Sequence, residues 1–172
     1  MRPYIYLMFF LILSQISYGQ NTYKQDKSIV HGPFRNPIIE NSNIYFSKSQ
    51  ETNYPLYLIL ENTGAHDNGL VIDKYETSGS DPHIESAFFF PIKKENNLLV
   101  IVSWEINSRG LGTYGILYQV YAYKKNNNSL VSNRIISSDS HMTGMEGYIE
   151  GVESTFKLKT ASDVKAYIKK NL

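Results

Sequence analysis

There is no cysteine among the 172 residues of this chain. That excludes a disulfide framework, thiol catalysis, cysteine-type zinc sites and dithiol redox chemistry, so the apolar core must supply stability by itself. An excess of charge is missing too: 17 Lys and Arg stand against 16 Asp and Glu. Without a basic stripe there is no electrostatic footing for general nucleic-acid binding or for holding an anionic membrane surface. Neither nucleic acid nor stable membrane insertion is therefore expected. No apolar run is long enough to span a bilayer: Tyr4 to Leu13 is about half the roughly 20 residues a spanning helix needs. Tryptophan occurs once, at Trp104, and reads as an anchor of the core or its rim.

What the N-terminus does have is a three-part layout. Arg2 precedes the apolar run Tyr4 to Leu13, and the small residues Ser17 and Gly19 follow at the spacing a signal peptidase requires. The expectation is a signal peptide over residues 1–19, a mature chain from Gln20, and a periplasmic or secreted location. No cysteine stands at the cut to carry a lipid. Removing 19 residues from 172 leaves 153, enough for one domain with its own core over 20–172. Tyrosine is abundant, 14 in all, which suits half-buried sheet surfaces and protein interfaces.

The patterning predicts a mainly β fold, an antiparallel β-meander arranged as a sandwich or curled sheet, with a short C-terminal α-helix. Gln20 to Pro37 reads as an extended lead-in without periodicity. Strand signals begin near Ile44: Asn43 to Phe46, Tyr54 to Glu61 and Leu70 to Glu76, with Asn62 to Gly69 as a turn. Phe88 to Phe90 lead through a turn at Lys93 to Asn97 into Leu98 to Trp104, whose continuous apolar run predicts a strand covered on both faces. Ile116 to Lys124 and Leu130 to Ile136 read as further strands around the Asn126 to Asn128 turn, and His141 to Glu146 as irregular. Ser162 before Asp163, with Val164, Tyr167, Ile168 and Leu172 at helical spacing, predicts a final helix capped by Ser162.

Between the two most apolar strands lies Glu105 to Gly115, longer than a usual hairpin connection, with Gly110, Gly112 and Gly115 around Arg109. It reads as a projecting loop whose Glu105, Asn107, Ser108, Arg109, Leu111, Thr113 and Tyr114 contact a protein partner, or as glycines that only let the chain turn. Its Gly-x-Gly-x-x-Gly spacing does not make a dinucleotide site, because a β-rich run follows where a helix is required, and no cofactor is expected. His66 with Asp67, His83 with Asp81 and Glu85, and His141 with Asp139, Glu146 and Glu150 are the metal or acid–base material. None has a recognised ligand spacing, the Asp81 to Glu85 piece reads as a loop, and no metal or catalytic residue is assigned. There is no Gly-x-Ser-x-Gly nucleophile elbow either.

The segment Val102-Ser103-Trp104-Glu105-Ile106-Asn107-Ser108-Arg109-Gly110-Leu111-Gly112-Thr113-Tyr114-Gly115, with the leader and the tyrosine-rich meander, resembles exported bacterial proteins, in particular the periplasmic immunity proteins made against toxins of type VI secretion. The resemblance implies a non-enzymatic inhibitor that plugs the active site of a secreted effector enzyme attacking the cell envelope; it implies nothing about oligomeric state. A glycan- or peptidoglycan-binding module and a metal-dependent hydrolase using His66, His83 or His141 are the alternatives. The leader predicts that the exported protein begins at Gln20; an intact mass retaining residues 1–19 contradicts it.

Overall fold

The computed structural model describes residues 28–64 and 69–172. The expected leader, and with it the first part of the lead-in, lies outside them, as do His66 and Asp67. Two antiparallel sheets form the body. The first is a meander of β1 (Ile29–Arg35), β2 (Ser42–Lys48), β3 (Leu56–Asn62) and β4 (Leu70–Tyr75), in that order. The second has the order β10-β9-β7-β6-β5, from β5 (His83–Ile92), β6 (Glu95–Ser108), β7 (Thr113–Asn126), β9 (Thr143–Ile149) and β10 (Val152–Ser154). β8 (Ser129–Ser132) pairs with the last residues of β7, beyond the stretch that β9 occupies. Among the described residues there are two α-helices, α1 (Arg134–Ser137) and α2 (Ala161–Asn171).

The second sheet is the middle layer. On one face Leu98, Val100, Val102 and Trp104 of β6 join Ile44, Phe46, Leu58, Leu60 and Tyr75 of the first sheet. On the other, Leu99 and Ile101 join Val120 and Ala122 beneath Ile136, Phe156, Leu158, Val164 and Ile168. Every residue from Asn97 to Trp104 is buried, as the continuous apolar run predicts. Asn97 is the polar exception at the start of this stretch: its side chain accepts from Asn133 Nδ2 at 2.8 Å and donates to the Glu95 carbonyl at 2.7 Å.

The sheets are also joined by a hydroxyl relay. Tyr123 donates to Asp73 Oδ2 at 2.7 Å, so Tyr75, 2.9 Å away, must be the donor to Tyr123. Trp104 Nε1 donates to the Glu76 carbonyl at 2.8 Å, a second polar tie between the layers. Burial pushes the Tyr75 and Tyr123 phenols well above their ordinary pKa, and pushes Tyr121 up to about 12 with help from Asp73 and Glu76.

Several expectations are corrected. Part of the lead-in is a strand: β1 pairs with β2 through two register shifts, and as an edge strand with exposed side chains it has no burial pattern to betray it. The turn at Lys93 to Asn97 is shorter, since Ile92 pairs with Glu95 and only Lys93 (φ 49°) and Lys94 (φ 69°) turn, both in the left-handed region. Leu130 to Ile136 is not one strand; Asn133 caps α1 by accepting from the Ile135 amide at 3.1 Å. His141 to Glu146 is a single 3-10 turn leading into β9. β5 begins at His83, so His83 and Glu85 are strand residues. The cap of α2 is Thr160, not Ser162: its hydroxyl accepts from the Asp163 amide at 3.2 Å and donates to the Asp163 carboxylate at 2.6 Å.

The relay makes an asymmetric prediction. Tyr123→Phe strands the buried Tyr75 hydroxyl and should cost about 1–3 kcal/mol, Tyr75→Phe only about 0.5–1.5 kcal/mol, and the double variant less than their sum; denaturant midpoints measure all three. Keeping these phenols protonated contributes fully below about pH 10, the ordinary tyrosine value, and is lost as pH rises toward the folded one. Stability measured against pH should therefore turn down above about pH 10.

Candidate functional site

The expected loop is mostly sheet. β6 and β7 stay paired from Asn97↔Lys124 to Ser108↔Thr113, leaving only Arg109 to Gly112 to turn, as a 3-10 turn (Arg109–Leu111) closed by Gly112 at φ 69°. Glu105, Asn107 and Ser108 are thus residues of β6, and Thr113 and Tyr114 of β7. The reading of a long projecting loop is corrected to the end of a stiff hairpin. What hid this is Gly115, which is a strand residue. It faces Gly147 of β9, and a Cβ added to Gly115 would lie 2.2 Å from the Glu146 carbonyl oxygen. The paired glycines let the two backbones approach closely, and both take positive φ, 138° and 143°.

That close approach brings a second hairpin alongside. The turn between β9 and β10, Glu150 and Gly151, docks on the first: Gly151 N donates to the Gly112 carbonyl at 2.9 Å and Glu150 N to Thr113 Oγ1 at 3.1 Å. The fused tip carries apolar side chains in the open, Leu111 at 78 % exposure and Val152 at 68 %, with Ile149 and Tyr148 partly exposed beside them. Tyr148 stacks on Tyr114 with centroids 5.0 Å apart, and the Arg109 guanidinium lies 4.5 Å from the Tyr114 centroid. One ring face of Tyr114 is occupied by Tyr148, so Arg109 takes the other, a three-layer stack.

Of the residues singled out from the sequence, Ser108, Arg109, Leu111, Thr113 and Tyr114 come together at the apex. Asn107 is the cross-strand neighbour of Tyr114. Glu105 stands apart, opposite Ile116, where its amide donates to Ser80 Oγ at 2.8 Å. Tyr148, Ile149 and Val152 were not legible as part of this surface, although Glu150-Gly151 between two short β-prone pieces is a hairpin signal.

The histidines lie elsewhere. His31 and His83 line a cleft at the seam of the two sheets. His141 Nδ1 is 3.0 Å from Asp139 Oδ1, and Tyr167 donates to Asp139 Oδ2 at 2.8 Å. Burial opposes ionisation of Asp139, yet the bonds from His141 and Tyr167 hold its carboxyl below the usual range. Among the described residues no group of three or more His, Asp or Glu is placed to hold a metal ion, and no helix is long and apolar enough to cross a membrane. No family model, curated protein or solved structure matches the chain.

The glycines give the check on this geometry. Gly115→Ala drives a Cβ into backbone at a positive φ and should cost about 2–3 kcal/mol, loosening β9 from β7, whereas Gly110→Ala meets nothing within 4 Å and should leave the unfolding midpoint unchanged.

Proposed function

We propose that this chain is an exported binding protein that acts by occlusion, its fused hairpin tip entering the concave site of a secreted enzyme that attacks the cell envelope. One observation carries the reading: an apolar apex, Leu111, stands in the open on a rigid four-strand end, beside an arginine already ordered on an aromatic ring. Exposing Leu111 and Val152 gains nothing for an isolated fold, while a partner's pocket would bury them. Holding Arg109 on Tyr114 in the free protein reduces the entropy lost when it docks. Tyrosine and arginine anchors around an apolar centre are the composition of binding hot spots.

The same stack weighs against the tip as a sugar platform. Both ring faces of Tyr114 are covered, so a pyranose cannot stack there; Tyr148 would have to serve alone. The inhibitor reading also accords with the resemblance of the Val102 to Gly115 segment to immunity proteins.

Affinity capture from the native cell envelope with the tagged chain, followed by mass spectrometry, tests the proposal. One enzyme should be recovered in stoichiometric amount, and Leu111→Asp should weaken its binding by about 30-fold or more, the effect of losing one hot spot of about 2 kcal/mol. Recovery of the free chain only, or equal capture by Leu111→Asp, contradicts the proposal. Binding to purified cell-wall material that Tyr148→Ala abolishes would favour the glycan module instead.

A further inference from the structure

The hairpin tip leaves unexplained a cleft of about 340 Å³ where β1, the end of β2 and the start of β3 meet the segment entering β5. That volume is within the range of small-ligand sites, about 300–1,000 Å³. Its walls include the buried side chains of Leu56 and Ile84, and its polar groups include His31, Lys48, His83 and Asp81. Three of these four can carry positive charge.

His31 packs against two aromatic rings. Its ring meets Phe34 edge-on with centroids 5.0 Å apart and lies 5.8 Å from Phe46, so the imidazole packs at the seam. His83, the first residue of β5, approaches from the other sheet. Lys48 comes from β2, Asp81 from the segment before β5, and the start of β3 adds no charge. Among the described residues none of the four side chains makes a hydrogen bond or ion pair, so no ion pair ties Asp81 to the lysine or either histidine. Burial pushes the His31 pKa down, and His83 pushes the same way. Two groups that repel when protonated, beside an unpaired ammonium and over an apolar floor, make a place where a compact anion relieves the repulsion.

We propose that this cleft binds a small oxyanion, the oxygens of a phosphate-type or carboxylate group, held between His31, His83 and Lys48. Binding tightens as pH falls through the histidine range, because each protonation adds a charge-assisted donor, and by linkage the bound anion raises both imidazole pKa values. This site stands apart from the hairpin tip and does not depend on how the tip is read.

The test is a histidine titration by NMR on the full exported chain, with sulfate or acetate added at ionic strength matched by chloride. Sulfate keeps its charge across the range, so any pH dependence belongs to the protein. The expected result is a rise in the pKa of His31 and His83 but not of His141, with affinity about tenfold tighter at about pH 5.5 than at about pH 7.5. His83→Gln and Lys48→Met, both at exposed positions, should each weaken binding with the amide spectrum otherwise unchanged. A response to sulfate alone assigns the site to phosphate-type groups, to acetate alone to carboxylates, and to both to oxyanions without selection. No response to either anion, or an equal movement of His141, overturns the proposal.

Discussion

Burial of β6 on both faces is the constraint that the rest of the structure answers to. A strand whose side chains from Asn97 to Trp104 are all removed from water requires a layer above and a layer below. The first sheet provides one, and α1, α2 and the Phe156 to Leu158 segment provide the other. Its backbone must also be paired on both edges, which fixes β5 and β7 in register. In a chain without cysteine this packing carries the stability that cross-links provide in many small secreted domains. The polar groups admitted against β6 and β7 are satisfied: Asn97 by Asn133 and Glu95, Ser103 by donating to Glu85 at 2.6 Å, and Tyr75 and Tyr123 by their relay to Asp73.

The constraint reaches the surface through length. β6 and β7 have 14 residues each, longer than β5, whose pairing stops at Ser103. Beyond that point the hairpin is supported on its other side by β9 and β10, which approach closely because Gly115 faces Gly147. A rigid interior strand thus becomes a rigid exposed tip, and the apolar side chains at its apex are held in place without being covered. On the proposed function, the fold acts by presenting this tip to a partner.

What the sequence disclosed follows from the same physics. The interior strand was plain because double burial leaves a continuous apolar run from Leu98 to Val102, and the final helix because Val164 and Ile168 recur at helical spacing. The edge strand β1 is hidden from the sequence, since all of its side chains but His31 are exposed and its pairing rests on the backbone. Gly115 makes the first residues of β7 read as loop and Gly144 makes the start of β9 read as irregular, yet each is small for a packing reason: a Cβ on Gly144 would lie 2.5 Å from the Phe156 ring, which stacks on Tyr118. The Lys93-Lys94 turn lacks the Asn-Gly preference of its type, and the Thr160-to-Asp163 cap was masked by the nearer Ser162. At the tip, the residues of one hairpin were found from sequence, and the hairpin that completes the surface was not, because only the three-dimensional pairing of β7 with β9 brings it there.

Hydrogen–deuterium exchange of the chain, free and with its captured enzyme, tests the central claim most directly. The account predicts that amides of Asn97 to Trp104 exchange slowest in the free protein, and that the enzyme adds protection at Arg109 to Tyr114 and Tyr148 to Val152 together. Fast exchange along Asn97 to Trp104, or added protection confined to other surfaces, contradicts it.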